Sequence, residues 1–118
     1  MKPGWAFIFS GHIWFILSKP TAPNGEVLCV NLTTLDDECP DDECILEPAD
    51  YAWLRHSTAV AFSRAKIWKV DKINQALKAG LLKRPTPDQL TDAVVQTVTA
   101  KALHSRQLRT DLKCLLRG

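Results

Sequence analysis

The sequence lacks the short motifs on which several large enzyme classes depend. It has no glycine-rich phosphate loop, no G-x-S-x-G nucleophile elbow and no H-E-x-x-H metal motif, which disfavours the enzymes built around them. It also has no apolar run close to the ~20 residues that cross a bilayer. With 46% hydrophobic and 24% charged residues among 118, the chain has the composition of one folded domain.

Cysteine is also scarce. Cys29, Cys39, Cys44 and Cys114 are too few for a disulfide-stabilised scaffold in a chain of 118 residues. The apolar N-terminal stretch is interrupted by glycine, serine and histidine, and no small-x-small cleavage site follows it, so we expect a cytoplasmic protein with reduced thiols. The spacing of Cys39 and Cys44 is looser than in zinc sites, and no second Cys or His pair follows. Neither a metal nor another cofactor is therefore expected.

Positive charge is nearly absent from the first part of the chain. Residues 1–50 hold two lysines against nine acidic residues, whereas residues 51–118 hold thirteen Lys or Arg against four acidic residues. The formal charges of −7 and +9 favour a basic surface that meets phosphates, although a solvated surface without a partner has the same composition. Eight acidic residues lie between 36 and 50 without a base, and we expect a solvated loop there that can mimic phosphates.

Four apolar segments predict β-strands. They span residues 4–9, 12–18, 26–34 and 58–69, the last being one strand or two with a bend near Ser63, and a short strand is expected at 44–46. Residues 19–25 contain two prolines and an Asn-Gly pair, which is typical of a hairpin loop. The third strand alternates, and the two sets of side chains are expected on opposite faces, one of them more apolar, as in a half-buried sheet. The sets are Val27, Cys29, Asn31 and Thr33, and Leu28, Val30, Leu32 and Thr34.

The hydrophobic period changes from two to about 3.6 after residue 70. Asp71 and Gly80 mark the start and the end of a short helix. The Thr-Pro-Asp-Gln sequence from Thr86 has capping-box spacing and predicts a second helix, and Ser105 can cap a third. Strands come first and helices last, which predicts a mainly β protein of the α+β class, a small antiparallel barrel followed by two or three helices.

The end of the third predicted strand carries several polar side chains. In an antiparallel hairpin the start of one strand lies beside the end of the next, so His12 is expected near Asn31, Thr33 and Thr34. Hydroxyl groups and an imidazole at one edge can bind a phosphodiester, and His12 can transfer a proton. The same residues also suit the polar rim of a barrel, and the spacing leaves both interpretations open.

Two further segments combine polar and basic side chains. Arg55 can hold a phosphate through paired N–H donors, and the adjacent His56 can exchange a proton near neutral pH. Ser63 and Arg64 interrupt an apolar strand, and Arg64 lies two residues from Lys66, so both basic side chains point the same way. Arg55 and His56 can equally begin a strand without further function, and the basic ridge can be a solvated outer face.

The layout of these segments resembles the PemK/MazF-like toxins of bacterial toxin–antitoxin systems. The matching pieces are GWAFIF, HIWFILS, VLCVNLTT and STAVAFSRAKIWKVDKI, which cover roughly residues 3–75. In that family an opening Gly precedes the first strand, a strand ending in a Ser/Thr pair follows the second, and a late apolar strand runs into a basic segment and a helix. The resemblance implies an SH3-like barrel over residues 1–75, with residues 76–118 as a helical extension packed on it.

The resemblance also implies an activity and partners. Family members are commonly homodimers that cleave single-stranded RNA without a metal, through attack of a 2′-hydroxyl on the adjacent phosphate, and an antitoxin segment blocks their groove. Thr33 and Thr34 fall on the hydroxyl pair of the family. The loop before His12 is too short to carry the usual Arg, and Ser63 stands near the position of the usual acid, so proton transfer is assigned to His12 or His56.

The resulting hypothesis is a cytoplasmic, toxin-like endoribonuclease that binds single-stranded RNA, is neutralised by an antitoxin and needs no metal or cofactor. Its predicted catalytic residues are His12, Arg55 and His56, and its predicted substrate-binding residues are Asn31, Thr33, Thr34, Ser63 and Arg64. The alternative hypothesis is a non-catalytic SH3-like module that docks a protein partner through the acidic loop at 36–50.

Overall fold

The computed structural model describes residues 1–21, 25–34 and 41–117. Within these ranges the chain forms strands first and helices last, which confirms the predicted α+β order. The strands are β1 (Ala6–Phe9), β2 (His12–Ile16), β3 (Glu26–Thr34), β4 (Ile45–Leu46) and β5 (Thr58–Lys69), and the helices are α1 (Val70–Lys78), α2 (Asp92–Leu103) and α3 (Thr110–Arg117).

The strands form one antiparallel sheet in the order β1-β2-β3-β5-β4. Ser10 and Gly11 connect β1 to β2 with positive φ angles of 51° and 77°, which is the backbone that a two-residue hairpin turn requires. β1 and β5 are separated by two strands in the sheet, yet the rings of Phe7 and Trp68 have centroids 5.5 Å apart. The sheet must therefore curl strongly on itself, into a half-barrel.

The alternation of β3 separates two apolar clusters on opposite faces of the sheet. Leu28 and Val30 belong to the larger cluster, which also contains the buried side chains of α2 and α3. Val27 and Cys29 belong to the smaller cluster, together with Ile73 of α1. Since each fully buried aliphatic side chain contributes ~1.5–3 kcal/mol, both faces contribute to stability. The two sets lie on opposite faces as predicted, but residues 27–32 are buried on both faces, so the expectation of a half-buried sheet is wrong for β3.

The pairing of β5 with β3 is interrupted. The register shifts between Cys29 and Asn31, because residues 62–65 of β5 span the length that one residue spans in β3. Such an irregularity removes backbone groups from the ladder. Ser63 N donates to Asp41 Oδ1 at 2.9 Å, and Ser63 Oγ donates to Asp41 Oδ2 at 2.6 Å. The bend predicted near Ser63 is therefore a register shift that a buried carboxylate stabilises.

Residues 83–90 run along the outer edge of β1. Ala6 N donates to Asp88 O at 2.9 Å, and Ile8 N donates to Lys83 O at 2.7 Å. These bonds pair backbone groups that an exposed edge strand would otherwise present to other chains. The segment therefore closes one side of the sheet.

The predicted start of a helix at Thr86 is wrong for the same reason, because the backbone around it is engaged by the edge of β1. Helix α2 begins at Asp92 instead, and Thr91 Oγ1 accepts a hydrogen bond from Val94 N at 3.3 Å. Its buried side chains are Val95, Val98 and Ala102. The Thr at position 91, rather than that at 86, is the N-cap.

The other helix signals are confirmed in part. Ile73 of α1 is buried, and Gly80 follows the helix with a positive φ of 77°. Ser105 Oγ accepts hydrogen bonds from Gln107 N at 2.9 Å and Leu108 N at 3.1 Å, but this turn ends before α3 begins. No helix in the described ranges is both long and apolar enough to cross a membrane.

Candidate active site

One cleft at the end of the sheet collects most of the residues that the sequence marked. It encloses about 720 Å³ between the ends of β2 and β3, the loop before β5 and Thr86. Five of the eight predicted site residues line it, namely His12, Thr33, Thr34, Arg55 and His56. Trp53, Thr58 and Thr86 supply further side chains. The histidines, the arginine and the threonine pair, which are distant in the sequence, therefore face one space.

The pairing of β2 with β3 positions the first wall of the cleft. Trp14 pairs with Asn31, and two residues further along this antiparallel register His12 comes opposite Thr33. Thr34 is the last residue of β3. Imidazole and hydroxyl groups therefore share one end of the sheet, as the hairpin geometry predicts.

The loop before β5 supplies the second wall. Tyr51 and Leu54 are buried, and Leu54 N donates to Tyr51 O at 3.0 Å. Trp53, Arg55 and His56 are exposed, Trp53 to 42%. Burial of a leucine side chain is worth ~1.5–3 kcal/mol, so Leu54 anchors the loop while its neighbours turn toward the cleft.

The segment 83–90 supplies the third wall. Tyr51 Oη donates to Pro87 O at 2.6 Å, which joins this segment to the loop before β5. Burial and the negative charge of Asp88 raise the pKa of Tyr51 to about 12, so the hydroxyl remains a donor at neutral pH. Thr86 lines the cleft here. Thr86 was not predicted as a site residue, because its local pattern is that of a helix cap. Nothing nearby in the sequence indicates the bond from Tyr51 to Pro87.

Arg84 holds the same segment against β1. Its Nε donates to Ala6 O at 2.8 Å, and its second guanidinium nitrogen donates to Asp88 O at 2.6 Å. The guanidinium carbon lies 3.2 Å from the centre of the Trp5 ring, a cation–π contact. The third wall is therefore attached to the sheet by side-chain bonds as well as by backbone pairing.

His56 is oriented by its own loop. Its Nδ1 lies 2.9 Å from the carbonyl oxygen of Ser57, and since a carbonyl only accepts, Nδ1 carries the proton in the neutral ring. Nε2 then presents a lone pair, and no described residue bonds to it. Ser57 Oγ donates to Glu47 Oε2 at 2.6 Å, and Thr58 Oγ1 donates to His56 O at 3.0 Å. The ring is therefore prepared to accept a proton through Nε2.

The ionisable groups in the described lining of the cleft are all basic. His12, Arg55 and His56 are the ionisable groups among its described lining residues, none of which is a carboxylate. All three side chains are exposed, and within the described ranges neither Arg55 nor His12 forms an ion pair. A guanidinium that forms no ion pair with a described residue, in one cleft with two imidazoles, is suited to bind a phosphate through charge-assisted hydrogen bonds.

Three predicted site residues lie outside the cleft. Asn31 is 1% exposed within the sheet, and its Oδ1 is a buried acceptor without a hydrogen bond. Ser63 is bonded to Asp41 at the register shift. Arg64 follows it as an exposed residue of β5. The structure therefore places these three apart from the five that line the cleft.

Part of the described acidic segment is built into the fold, whereas Asp42 and Glu47 are exposed. Asp41 is 2% exposed. Glu43 accepts hydrogen bonds from Ser105 Oγ, from Arg106 N at 2.9 Å and from Gln107 N at 3.3 Å. Burial acts to raise the pKa of Glu43, but these bonds outweigh it and lower the pKa below the ordinary 4.5. The expectation of a solvated acidic loop is therefore wrong for Asp41 and Glu43.

The described cysteines have no catalytic setting. Cys29 and Cys44 are buried, and burial raises the pKa of both thiols, which disfavours the reactive thiolate. Cys114 is exposed on α3. Cys39, which forms the C-x4-C spacing with Cys44, lies outside the described residues. Among the residues that are described, no group of three or more His, Cys, Asp or Glu could hold a metal ion.

No family model matches the chain, and no curated protein or solved structure is significantly similar to it. The resemblance drawn from the sequence therefore stays a hypothesis, and the argument for a function rests on the geometry of the cleft.

Proposed function

We propose that this protein is a toxin-like, RNA-binding endoribonuclease of the PemK/MazF type that cleaves single-stranded RNA in the cytoplasm without a metal. The observation that carries the proposal is the convergence of His12, Arg55 and His56 on one cleft whose described lining holds no carboxylate. The cleft of about 720 Å³ falls within the ~300–1,000 Å³ of typical ligand sites, which is room for a nucleotide and its phosphates.

The proposed reaction is a transesterification driven by two imidazoles. Nε2 of neutral His56 accepts the proton of a ribose 2′-hydroxyl, and the 2′-oxygen forms a bond to the adjacent phosphorus. The bond from phosphorus to the 5′-oxygen breaks, and protonated His12 donates its proton to that leaving oxygen. Arg55 stabilises the added negative charge on the phosphoryl oxygens. The products are a 2′,3′-cyclic phosphate and a 5′-hydroxyl.

The remaining polar and aromatic groups of the cleft bind substrate in this proposal. The hydroxyls of Thr33, Thr34 and Thr86 donate hydrogen bonds to phosphate or ribose oxygens. Trp53 stacks on an unpaired base, a contact available in single-stranded RNA and worth ~1–3 kcal/mol per base. Binding through stacking and phosphates favours single-stranded over double-stranded RNA and gives little preference for a particular base sequence.

The proposal takes the curled sheet as the SH3-like barrel of the family, with residues 76–118 packed on it. It includes a homodimer and a cognate antitoxin that brings acidic side chains into the cationic cleft. It departs from the family in using His12 where an Arg is usual. Ser63, near the position of the usual acid, is engaged with Asp41 and takes no part in the proposed chemistry.

The alternative, a protein-docking module, requires the acidic segment as an open surface. Asp41, Glu43 and Glu47 instead accept hydrogen bonds from serine hydroxyls of the same chain. Carboxylates that accept such bonds have part of their acceptor capacity occupied by the fold. This observation favours the cationic cleft as the working surface.

The test is cleavage of end-labelled single-stranded RNA by the purified protein, with and without a chelator. We expect cleavage that the chelator leaves unchanged and products that end in a 2′,3′-cyclic phosphate. His12→Ala and His56→Ala are each expected to slow cleavage by ~10²–10⁴-fold, the usual size of a general acid or base contribution. Induced expression is expected to arrest growth for the wild type and not for these variants.

Two outcomes contradict the proposal. Loss of activity on chelation refutes the metal-free chemistry, even if the cleft is the site. Absence of RNA binding by the folded protein at low salt, where phosphate contacts are strongest, refutes the RNA target itself and favours the docking module.

A further inference from the structure

A second groove begins at the β1–β2 hairpin, next to the cleft. It encloses about 310 Å³ between β1, β5 and α1. Phe9 and Trp68 are its aromatic side chains, Lys66 and Lys72 line it with exposed ammonium groups, and the buried Ile73 lies at its base. The proposed reaction uses none of these residues.

The aromatic part of the groove is rigid and partly open to solvent. Phe9 is 38% exposed. Its ring meets Trp68 edge to face, with centroids 5.8 Å apart and planes at 90°. Trp68 is itself packed against Phe7 and Trp14, at 5.5 and 4.8 Å between centroids. Such contacts restrict the ring, so Phe9 offers an apolar surface already ordered before any ligand binds.

The basic part of the groove consists of two exposed lysines. Within the described ranges, neither Lys66 nor Lys72 forms an ion pair, and no acidic residue lines the groove. Ammonium groups that flank an ordered aromatic ring are the elements from which single-strand-binding grooves are made, because bases stack on the ring and phosphates meet the cations.

The groove and the cleft meet at one residue pair. Phe9 of β1 pairs with His12 of β2, and paired residues of an antiparallel ladder project to the same face, with Cβ atoms ~4.5–5.5 Å apart. His12 lines the cleft and Phe9 lines the groove. The side chains of His12 and Phe9 are therefore neighbours, so that an RNA strand bound at His12 can continue directly to Phe9.

We propose that the groove of Phe9, Lys66 and Lys72 is a second subsite for single-stranded RNA, which takes a nucleotide beyond the one bound in the cleft. Phe9 stacks on its base, and the two lysines bind the flanking phosphates. This inference rests on the proposed ribonuclease function, which it extends from one nucleotide to a longer strand.

The size of the groove favours RNA over an acidic peptide. A volume of about 310 Å³ is at the small end of ligand sites, ~300–1,000 Å³, which suits one base with its phosphate better than the face of a helix. The groove also adjoins a cleft with the same charge. An acidic peptide thus stays the competing occupant that the experiment has to exclude.

The test uses 2′-O-methyl oligonucleotides, which lack the attacking hydroxyl and so report binding without cleavage. Fluorescence anisotropy is measured for the full chain with strands of about 4 and about 12 nucleotides, within the range of known single-strand sites. For the longer strand, Lys66→Gln with Lys72→Gln is expected to lower the slope of log affinity against log salt by about 1.4, since each single-strand phosphate contributes about 0.7. Phe9→Leu, which keeps an apolar side chain, is expected to weaken binding about tenfold through lost stacking.

The matched control is Lys78→Gln with Lys101→Gln, which removes the same charge from exposed helix ends outside both cavities. Thermal melting establishes that each variant is folded. The second subsite is overturned if the two lysine double variants lose equal affinity for the longer strand. It is also overturned if the Lys66 and Lys72 double variant loses equal affinity for the short and the long strand. If Arg55→Ala weakens binding of the longer strand but the Lys66 and Lys72 double variant does not, the second subsite is overturned and the proposed function stands. Failure of the wild type to bind either strand refutes the proposed function. An acidic peptide that binds the wild type but not the Lys66 and Lys72 double variant, while that variant still binds RNA as the wild type does, assigns the groove to a protein partner.

Discussion

The cationic cleft and the acidic segment are two charged regions whose groups differ in what they contact. Asp41 and Glu43 accept hydrogen bonds from other parts of the chain. Arg55 and His12 form no ion pair within the described ranges. Within the described ranges, the fold therefore uses the carboxylates of Asp41 and Glu43, whereas the cations of the cleft have no ion-pair partner there.

The difference follows from the kinds of backbone group that need a partner. The register shift in β5 and the turn after Ser105 both expose N–H groups, and a carboxylate can satisfy several of these because it only accepts hydrogen bonds. Guanidinium and ammonium groups only donate. Those that find no carbonyl or carboxylate nearby stay open to the acceptor oxygens of a phosphate. Bonding partners, rather than charge density, distinguish the two regions.

The strongest way to break this comparison is to remove one arginine from the cleft and one from outside it. Arg55→Ala is expected to lower kcat/KM for RNA cleavage by ~10²–10³-fold, the usual loss for a group that stabilises transition-state charge. Arg117→Ala removes the same charge at the exposed end of α3, outside the cleft and the groove, and is expected to change kcat/KM far less. Both variants should retain stability within ~0.5 kcal/mol, as exposed substitutions do. Similar losses of activity in both would show that net charge, and not the cleft, is what matters.

The opposite side of the comparison is tested by two adjacent acids. Asp41→Ala is expected to reduce the free energy of unfolding by about 3 kcal/mol, because it removes two hydrogen bonds to a charged group and leaves Ser63 N unsatisfied. Asp42 is exposed, so Asp42→Ala should cost less than ~0.5 kcal/mol. Urea denaturation measures both values. Equal costs would contradict a specific role for the Asp41 carboxylate.

Trp53 tests whether the cleft binds RNA by stacking. Because its side chain is 42% exposed, Trp53→Ala should change stability little, yet weaken RNA binding by ~1–3 kcal/mol through lost stacking. Trp53→Tyr keeps an aromatic face and should recover part of the affinity. Binding to an uncleavable single strand gives the comparison, and a Tyr variant as weak as the Ala variant would argue against stacking.

The smallest effect concerns the pH dependence of Glu43. Because its pKa is lowered in the folded state, its contribution is complete above the ordinary value of 4.5 and is lost as the pH falls through the folded value. Glu43→Gln is expected to cost about 1 kcal/mol at neutral pH. The difference between wild type and variant should shrink below pH 4.5 in thermal melts across a pH series. A difference that does not depend on pH would assign the cost to packing instead.

Most of the sheet was predictable because its strands carry local signals. β3 has the predicted bounds Glu26–Thr34, since alternation and flanking turn residues are read from neighbours in the sequence. The start of α2 was not predictable in this way. Thr86 has a good capping pattern, but Asp88 O is bonded to Ala6 N at the edge of β1. A contact between residues far apart in the sequence, Ala6 and Asp88, overrode the local preference.

The candidate site divides along the same line. The hairpin register is local and predicts His12 near Thr33, as the structure has them. That Arg55 and His56 reach the same cleft depends on the burial of Leu54 and on the bond from Tyr51 to Pro87. Ser63 was predicted to bind substrate, but it lies outside the cleft, because the register shift brings it to Asp41.

The sequence by itself determined the strand and helix order, the two faces of β3 and the segregation of acidic from basic residues, because each depends on local pattern or on composition. Only the tertiary structure decided which charges the fold uses. The contacts of Asp41 with Ser63 and of Glu43 with Ser105 join residues 22 and 62 positions apart. Bonding partners so distant in the sequence leave no local pattern. Their contacts distinguish the carboxylates that stabilise the fold from the cations that are open to a ligand.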